Sequence, residues 1–326
     1  MTIPFVLIGV ATDAYVELNS TLALPSPQTV VIKPGEPFRA VVAGLRERGV
    51  FTDANQARFL WIWARVSGKA QHIRAAEYAI KPDMTPLQLL DRLGSNDVVE
   101  HKITLVEGWR LSQFLAALSA NLQLRHTLPA DATPEQVMAA IGHADEPAEG
   151  RFFPDTYKFV LGQTDVSVLR RAYDAMTEHL AAAWAARDPG LPLDKPYDAL
   201  IIASIIEKET GQVNEQAEIA GVFYRRLALG MKLQTDPTVI YGLGAAYDGD
   251  IHTRDLTTDT PYNTYTRNGL PPTPICSPGQ TALEAAVHPA AGKALYFVAK
   301  GDGSHVFSDT LAEHNAAVRR YQLHEP

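Results

Sequence analysis

The sequence predicts an α+β fold in two parts: a run of small strand–turn–helix units, then a larger mixed α+β region built around one buried helix. Three observations predict it. Short apolar stretches closed by Pro or Gly turns recur as far as Gly108, each followed by a helix-like segment. Downstream, apolar residues take up helical spacing over longer stretches. One of these, Tyr197–Thr210, is apolar on all sides through its middle, which suits a helix wrapped by others. At 326 residues the chain has room for about two domains with a sizeable core.

In chain order, Ile3–Ala11 is an apolar run that, as a helix, covers about 14 Å of the roughly 30 Å needed to span a bilayer. It reads as a strand or frayed terminus, or as the end of a membrane anchor, and Ala23–Gln28 as a proline-bearing linker. Ile32-Lys33-Pro34-Gly35 then leads into a helix over Phe38–Arg48, with Phe38, Val41, Val42 and Leu45 on one face. Ile80-Lys81-Pro82-Asp83 leads likewise into Pro86–Leu93, with Leu87, Leu90 and Leu93 in phase. Strand Lys102–Val106, the turn Glu107-Gly108 and helix Leu111–Leu122 repeat the pattern a third time. Between the first two lies a helix, Asn55–Val66, whose Phe59, Trp61 and Trp63 are expected to face the core, although β-α modules of this rhythm include carbohydrate-binding ones.

Further on, Asp131–Gly150 is expected to be a hinge or loop, and Val166–Ala186 a long amphipathic helix with Leu169, Tyr173, Met176 and Leu180 on one face. A loop, Arg187–Lys195, precedes the apolar helix Tyr197–Thr210. Gly230–Gly249 reads as loop and strand, and Asp259–Gly279 as a proline-punctuated loop. Ala294–Ala299 and Ser304–Phe307 are predicted to pair across the turn Gly301-Asp302-Gly303, ahead of a closing helix, Thr310–Gln322.

Composition removes several function classes. With 46% hydrophobic and 20% charged residues, the chain is neither disordered, nor collagen-like, nor a multi-span membrane protein. Its 29 Lys and Arg against 37 Asp and Glu leave a formal charge of −8, with no basic cluster longer than a pair. A nucleic-acid partner is therefore not expected, since phosphate binding needs a concentrated basic face. The single Cys276 excludes an internal disulfide and a cysteine zinc site. None of the 10 histidines stands at paired ligand spacing, so no metal is expected. Gly242-Leu243-Gly244 and Gly301-Asp302-Gly303 lack the strand-to-helix setting of a phosphate loop, and no other cofactor is expected.

Chemistry concentrates at the end of the apolar helix, at Glu207-Lys208-Glu209-Thr210, with Gly211 as its expected stop. Partial burial and the negative end of the helix dipole both disfavour a carboxylate there, the condition under which a protein keeps a general acid protonated. Ala203 and Ser204, one turn before Glu207, are small enough to leave room for a ligand, whereas Ile205 and Ile206 crowd Glu209. That favours Glu207 as the acid, against the ordinary alternative of a solvated or salt-bridged glutamate paired with Arg225 or Lys208. Gln234-Thr235-Asp236-Pro237-Thr238 and Pro261-Tyr262-Asn263-Thr264-Tyr265 combine aromatic faces with amides and hydroxyls, a mixture that suits a sugar and also occurs in ordinary turns.

Taken together, Ala203-Ser204-Ile205-Ile206-Glu207-Lys208-Glu209-Thr210, Gly230–Gly242, Pro261–Tyr265, Gly269-Leu270-Pro271-Pro272, Pro278-Gly279 and Tyr296-Phe297-Val298 resemble the endolytic murein transglycosylase (YceG-like) family, as does Phe153–Tyr157 upstream. The likeness runs from about Val30 to near the end of the chain and departs at Ala75–Tyr78 and at Thr273. It implies a LysM-like subdomain over residues 29–106 and a catalytic domain over 107–326, with residues 1–28 the remnant of an anchor and linker. It further implies a lytic transglycosylase in the bacterial cytoplasmic membrane, facing the periplasm, that cleaves peptidoglycan glycan strands to 1,6-anhydro ends. Peptidoglycan synthases are candidate partners. The family's catalytic acid corresponds to Glu207, and Gln234, Asp236, Tyr262, Asn263 and Tyr265 are the candidate strand-positioning residues. A hydrolytic muramidase using Asp236, and a non-catalytic wall-binding module, are the alternatives.

Overall fold

A computed structural model describes residues 3–323. Its contacts divide the chain into two compact units, Met1–Lys102 with Lys158–Gln163, and Ile103–Tyr157 with Thr164–Pro326. The expected boundary at residues 106 and 107 lies just downstream of the first crossing.

The first unit opens with α1 (Ile3–Asn19), so the N-terminal apolar run is helical rather than a strand. The first two residues of the expected anchor remnant lie outside the described residues. Among the described residues no helix is long and apolar enough to cross a membrane. β1 (Gln28–Val31), α2 (Phe38–Glu47), α3 (Ala54–Val66), β2 (Glu77–Ile80) and α4 (Pro86–Leu93) follow. β1 and β2 pair antiparallel, with Val30 opposite Tyr78, so two strands enclose two helices in sequence. The predicted stripes pack as expected on α2, where Phe38, Val41, Val42 and Leu45 are buried. On α3 the core stripe is instead Ala57, Leu60 and Ala64; Trp61 is only partly buried and Trp63 is 45% exposed. Asp53 caps α3 through Asn55 and Gln56 N–H, and Phe59 and Trp61 pack against the edge of that core while Trp63 turns outward. α4 starts on a capping box between Thr85 and Gln88, with Pro86 in the first turn.

β3 (Glu100–Thr104) pairs with a later strand, β4 (Thr156–Val160), and the division of the chain falls inside both. Between them lie α5 (Leu111–Ala120) and α6 (Pro134–Ile141). α6 replaces the loop expected over Asp131–Gly150. Thr133 and Gln136 form a second capping box, and Val137, Met138 and Ile141 are buried.

The second unit is built on α7 (Asp165–Ala186), α8 (Pro196–Glu209), α9 (Val213–Ala228), α10 (Asp236–Leu243), α11 (Thr253–Thr257) and α12 (Gln280–Val287). α9 and α12 have no counterpart in the sequence-based expectation, and α10 stands where a strand was expected. α8 has Pro196 in its first turn, and Asp198 accepts the Lys195 N–H at 3.2 Å. Every residue from Ala199 to Ile206 is buried, with α7, α9, α10 and α12 packed around them. The helix stops at Thr210, whose φ of −144° is extended, rather than at Gly211. The chain closes with the predicted antiparallel hairpin β5 (Tyr296–Ala299) and β6 (His305–Ser308), then α13 (Leu311–Tyr321). Gly301 and Gly303 both have positive φ in its turn.

One buried carboxylate anchors the second unit. Asp165, 4% exposed, accepts the Thr127 N–H at 3.0 Å and hydroxyl at 2.6 Å, the Leu128 N–H at 3.2 Å and the Val166 N–H at 2.8 Å. Burial works against its charge, but these bonds outweigh it and hold its carboxyl below the usual range. A lowered pKa contributes stability above the unfolded value that is lost as pH falls. Asp165→Ala is expected to cost about 2–3 kcal/mol in urea unfolding at pH 7, with the gap to wild type narrowing below about pH 4. An unchanged gap at acid pH would contradict this account.

Candidate active site

The last turn of α8 carries Glu207 and Glu209 out of the core. Glu207 is part-buried, and its Oε2 accepts the Gly279 N–H at 3.1 Å. That bond depends on how the Ile275–Gly279 segment is held. The Ser204 hydroxyl, fully buried one turn earlier, accepts the Ile275 N–H at 3.0 Å and donates to the Ile201 carbonyl at 2.7 Å. The Cys276 thiol adds a bond to the Ser204 carbonyl. The space beside Ser204, where the sequence predicts room for a ligand, is therefore taken by this loop. On the other flank, the Gly108 N–H donates to the Ser277 carbonyl and the Ser277 N–H to the Trp109 carbonyl, both at 2.9 Å.

Glu207 is pushed up to about 7, chiefly by burial; the Gly279 N–H pulls it down, the Glu107 carboxylate pushes it up, and Lys208 pulls it down. Glu209 is also pushed up to about 7, by burial against the opposing Thr235 hydroxyl bond, with Asp236 adding to the rise. Proton affinity alone does not choose between the two acids.

Their surroundings differ. Glu209 accepts the Thr235 hydroxyl and lines a cavity of about 510 Å³. Gln234, Asp236 and Tyr265, three of the five predicted strand-positioning residues, line the same cavity, and Glu207 does not. The Tyr265 hydroxyl donates to Asp236 Oδ1 at 2.5 Å, and both effects of that carboxylate add to burial in raising the phenol. Gln234 holds φ at +55°, the one left-handed non-glycine among the described residues, and its Oε1 accepts Arg226 Nη1 at 3.2 Å. The opposite wall comes from the C-terminal hairpin and α13. Tyr296 lies under the Arg226 guanidinium at 5.0 Å and stacks on His314 at 5.2 Å. Arg226 and His314 line this cavity with Gln234, although neither is among the predicted site residues.

Tyr262 and Asn263 lie elsewhere. Tyr262 packs on Tyr241 at 4.7 Å between ring centres and shares a 2.8 Å hydrogen bond with Thr273. Tyr241 in turn donates to Glu149, a part-buried carboxylate pushed up by desolvation, which also accepts the Leu111 N–H at 3.0 Å. Glu149 fell in the segment read as a loop and had no sequence signal. Asn263 is 1% exposed; its Nδ2 donates to the Asp255 and Thr258 carbonyls at 2.9 and 2.7 Å, and its Oδ1 accepts the Tyr265 N–H at 2.9 Å. Its amide builds the loop. Among the described residues no group of three His, Cys, Asp or Glu is arranged to hold a metal.

Residues 30–320 match the YceG-like family, and the chain belongs to it. A Bacillus subtilis (strain 168) protein named endolytic murein transglycosylase is 31% identical over 309 residues, 89% of this chain and 83% of its own. A Streptococcus pneumoniae (strain D39) protein of the same name is 31% identical over 179 residues, 53% of this chain but 32% of its own length. The crystal structure of a YceG-like protein from Listeria monocytogenes matches with a TM-score of 0.56 at 28% identity, covering 90% of this chain and 99% of that one.

The raised proton affinity of Glu207 has a direct stability signature. Its folded value of about 7 exceeds the ordinary 4.5, so the folded state binds more protons between those limits and loses stability as pH rises through them. Glu207→Gln, which mimics the neutral acid, is expected to melt with wild type at pH 4.5 and above it at pH 8, by on the order of 1 kcal/mol. Parallel melting curves at both pH values would refute the assignment.

Proposed function

We propose that this chain is a lytic transglycosylase of peptidoglycan, with Glu207 as its single acid and base. The observation that carries the proposal is the part-buried Glu207 carboxyl, protonated near neutrality at the end of an otherwise dry helix in a YceG-like chain. The endolytic murein transglycosylase name of the Bacillus relative, matched over most of both chains, supports the substrate class.

In the proposed reaction the Glu207 carboxyl gives its proton to the oxygen linking N-acetylmuramic acid to N-acetylglucosamine as the C1–O bond breaks and positive charge develops at C1. The Gly279 N–H stabilises the carboxylate left behind. That carboxylate then takes the proton from the C6 hydroxyl of the same muramic acid, whose oxygen bonds to C1. Glu207 ends protonated, no water is consumed, and a 1,6-anhydro end results. The nucleophile is already tethered to the substrate, so a second catalytic carboxylate is unnecessary. Gln234, Asp236 and Tyr265 position a neighbouring stretch of strand in their cavity, which has the size and the aromatic and polar lining of a sugar site. Tyr262 and Asn263 act by shaping the loop between them and that cavity.

A second reading has one observation in its favour. Glu209, also protonated near neutrality, lines that cavity with Asp236, and a pair of carboxyl groups facing one cavity is what a hydrolase uses. The antiparallel β1–β2 pair enclosing α2 and α3 supports a LysM-like, glycan-binding role for the first unit. Attachment to the cytoplasmic membrane with the active site on the periplasmic side, and partnership with peptidoglycan synthases, rest on family membership and complete the proposal.

Mass spectrometry of glycan strands digested by the full chain tests it. Anhydro ends are expected, reduced about 10²–10⁴-fold by Glu207→Gln and far less by Glu209→Gln. Products heavier by one water, lost in Glu209→Gln and retained in Glu207→Gln, would establish the hydrolase instead. No cleavage by any form would leave a binding module.

A further inference from the structure

We propose that Glu107 is a positioning residue for Glu207, a second carboxylate that two glycines admit to the same site and that holds the transferable proton on Glu207. The inference rests on Glu207 as the acid and adds a residue that the sequence offered only as part of a turn. The geometry is reciprocal. Gly279 donates its N–H to Glu207, while the space where its side chain would stand is filled by the Glu107 carboxylate, with Glu107 Cδ 3.3 Å and Cβ 3.5 Å from an ideal Cβ. Gly108, beside Glu107, has φ +74°, and a Cβ there would lie 3.6 Å from Glu207 Oε1 and 3.7 Å from its Cγ. Each glycine thus borders one of the two glutamates, and the paired Gly108–Ser277 and Ser277–Trp109 backbone bonds hold the two segments side by side.

Two carboxylates sharing a site cannot both ionise freely, so the drier one retains its proton. Glu107 is exposed while Glu207 is part-buried, which assigns the proton to Glu207. Around Glu207 the other charged or titratable groups are Lys208 on its own helix, which also donates to the Gly108 carbonyl at 3.4 Å, and the buried Cys276 thiol. Arg110 and Glu149 act on that thiol in turn. Burial exceeds the influence of Glu107 on Glu207, so removing the Glu107 charge should shift the titration rather than restore an ordinary glutamate.

Glu107→Gln keeps the size and removes the charge. Followed by carbon-13 NMR of labelled glutamate carboxyls in the full chain, Glu207 is expected to titrate about 0.5–1 pH unit lower, and the alkaline limb of glycan cleavage to move down equally. Glu107→Asp should restore most of the shift. Gly279→Ala, whose methyl displaces the Glu107 carboxylate, should lower the midpoint independently. An unmoved midpoint in both Glu107→Gln and Gly279→Ala overturns the pairing, as does a uniform loss of cleavage at every pH without a change of midpoint. A midpoint that moves while no form produces anhydro ends supports the pairing and overturns Glu207 as the glycan acid.

Discussion

The need to wrap α8 on every side governs the second unit. Ile201, Ile202, Ile205 and Ile206 leave the helix no face that could tolerate water, and each buried side chain contributes about 1.5–3 kcal/mol. α7, α9, α10 and α12 supply the wrapping. The helix must then leave the core through its last turn, so Glu207 and Glu209 meet the boundary between dry and wet at the negative end of the helix dipole. Their shared affinity for protons is a result of packing. Ser204 adds direction to it. A hydroxyl in the dry interior needs partners, and the one it accepts from is the backbone of the loop that delivers the Gly279 N–H to Glu207.

Irregular segments around the site are held together by threonines. Thr235 N–H donates to the Thr264 hydroxyl at 3.0 Å, and the Thr238 and Thr264 hydroxyls lie 2.9 Å apart. These bonds join the start of α10 to the 261–265 loop, and Thr235 also binds Glu209. With those hydroxyls turned inward, Gln234, Asp236 and Tyr265 are left facing the cavity, Gln234 in a strained left-handed conformation that the surrounding bonds enforce. The dense polar composition of the two loops thus serves two purposes, and the residues divide between them according to burial.

That division was not legible in the sequence. Periodic apolar stripes and turn residues located α2, α4, α5, α7, α8, the β5–β6 hairpin and α13, because each signal is local. α6 and α10 were concealed by prolines that read as loop punctuation, although Thr133-Pro134-Glu135-Gln136 is also a helix start. α12 is rich in alanine and shows little contrast between faces, and α9 mixes charged residues with its buried Ile219, Val222 and Phe223. The raised proton affinity of Glu207 is legible because it follows from the residue's own helix. Asn263 shows the limit of composition, which cannot tell an amide that binds a ligand from one that staples a loop. Glu107 and Glu149 gain their settings from segments far away in the chain, and Arg226 gains its setting both from the distant Leu295 carbonyl and from the nearby Lys232 and Leu233 carbonyls.

The distinction between the two acids then rests on what happens after a proton leaves. Either carboxyl retains its proton to about pH 7, so either could begin as an acid. Glu209 becomes a carboxylate facing Asp236, whose charge already raises it, and its support is a side-chain hydroxyl that also belongs to the threonine network. Glu207 becomes a carboxylate facing a backbone N–H fixed by the Ser204 staple, a donor that stabilises the ionised form without reorganising. A group that must serve first as acid and then as base needs both forms to be accessible. Burial supplies the neutral form at Glu207 and the Gly279 N–H supplies the charged one, so the same few ångströms of loop would tune both halves of the proposed cycle.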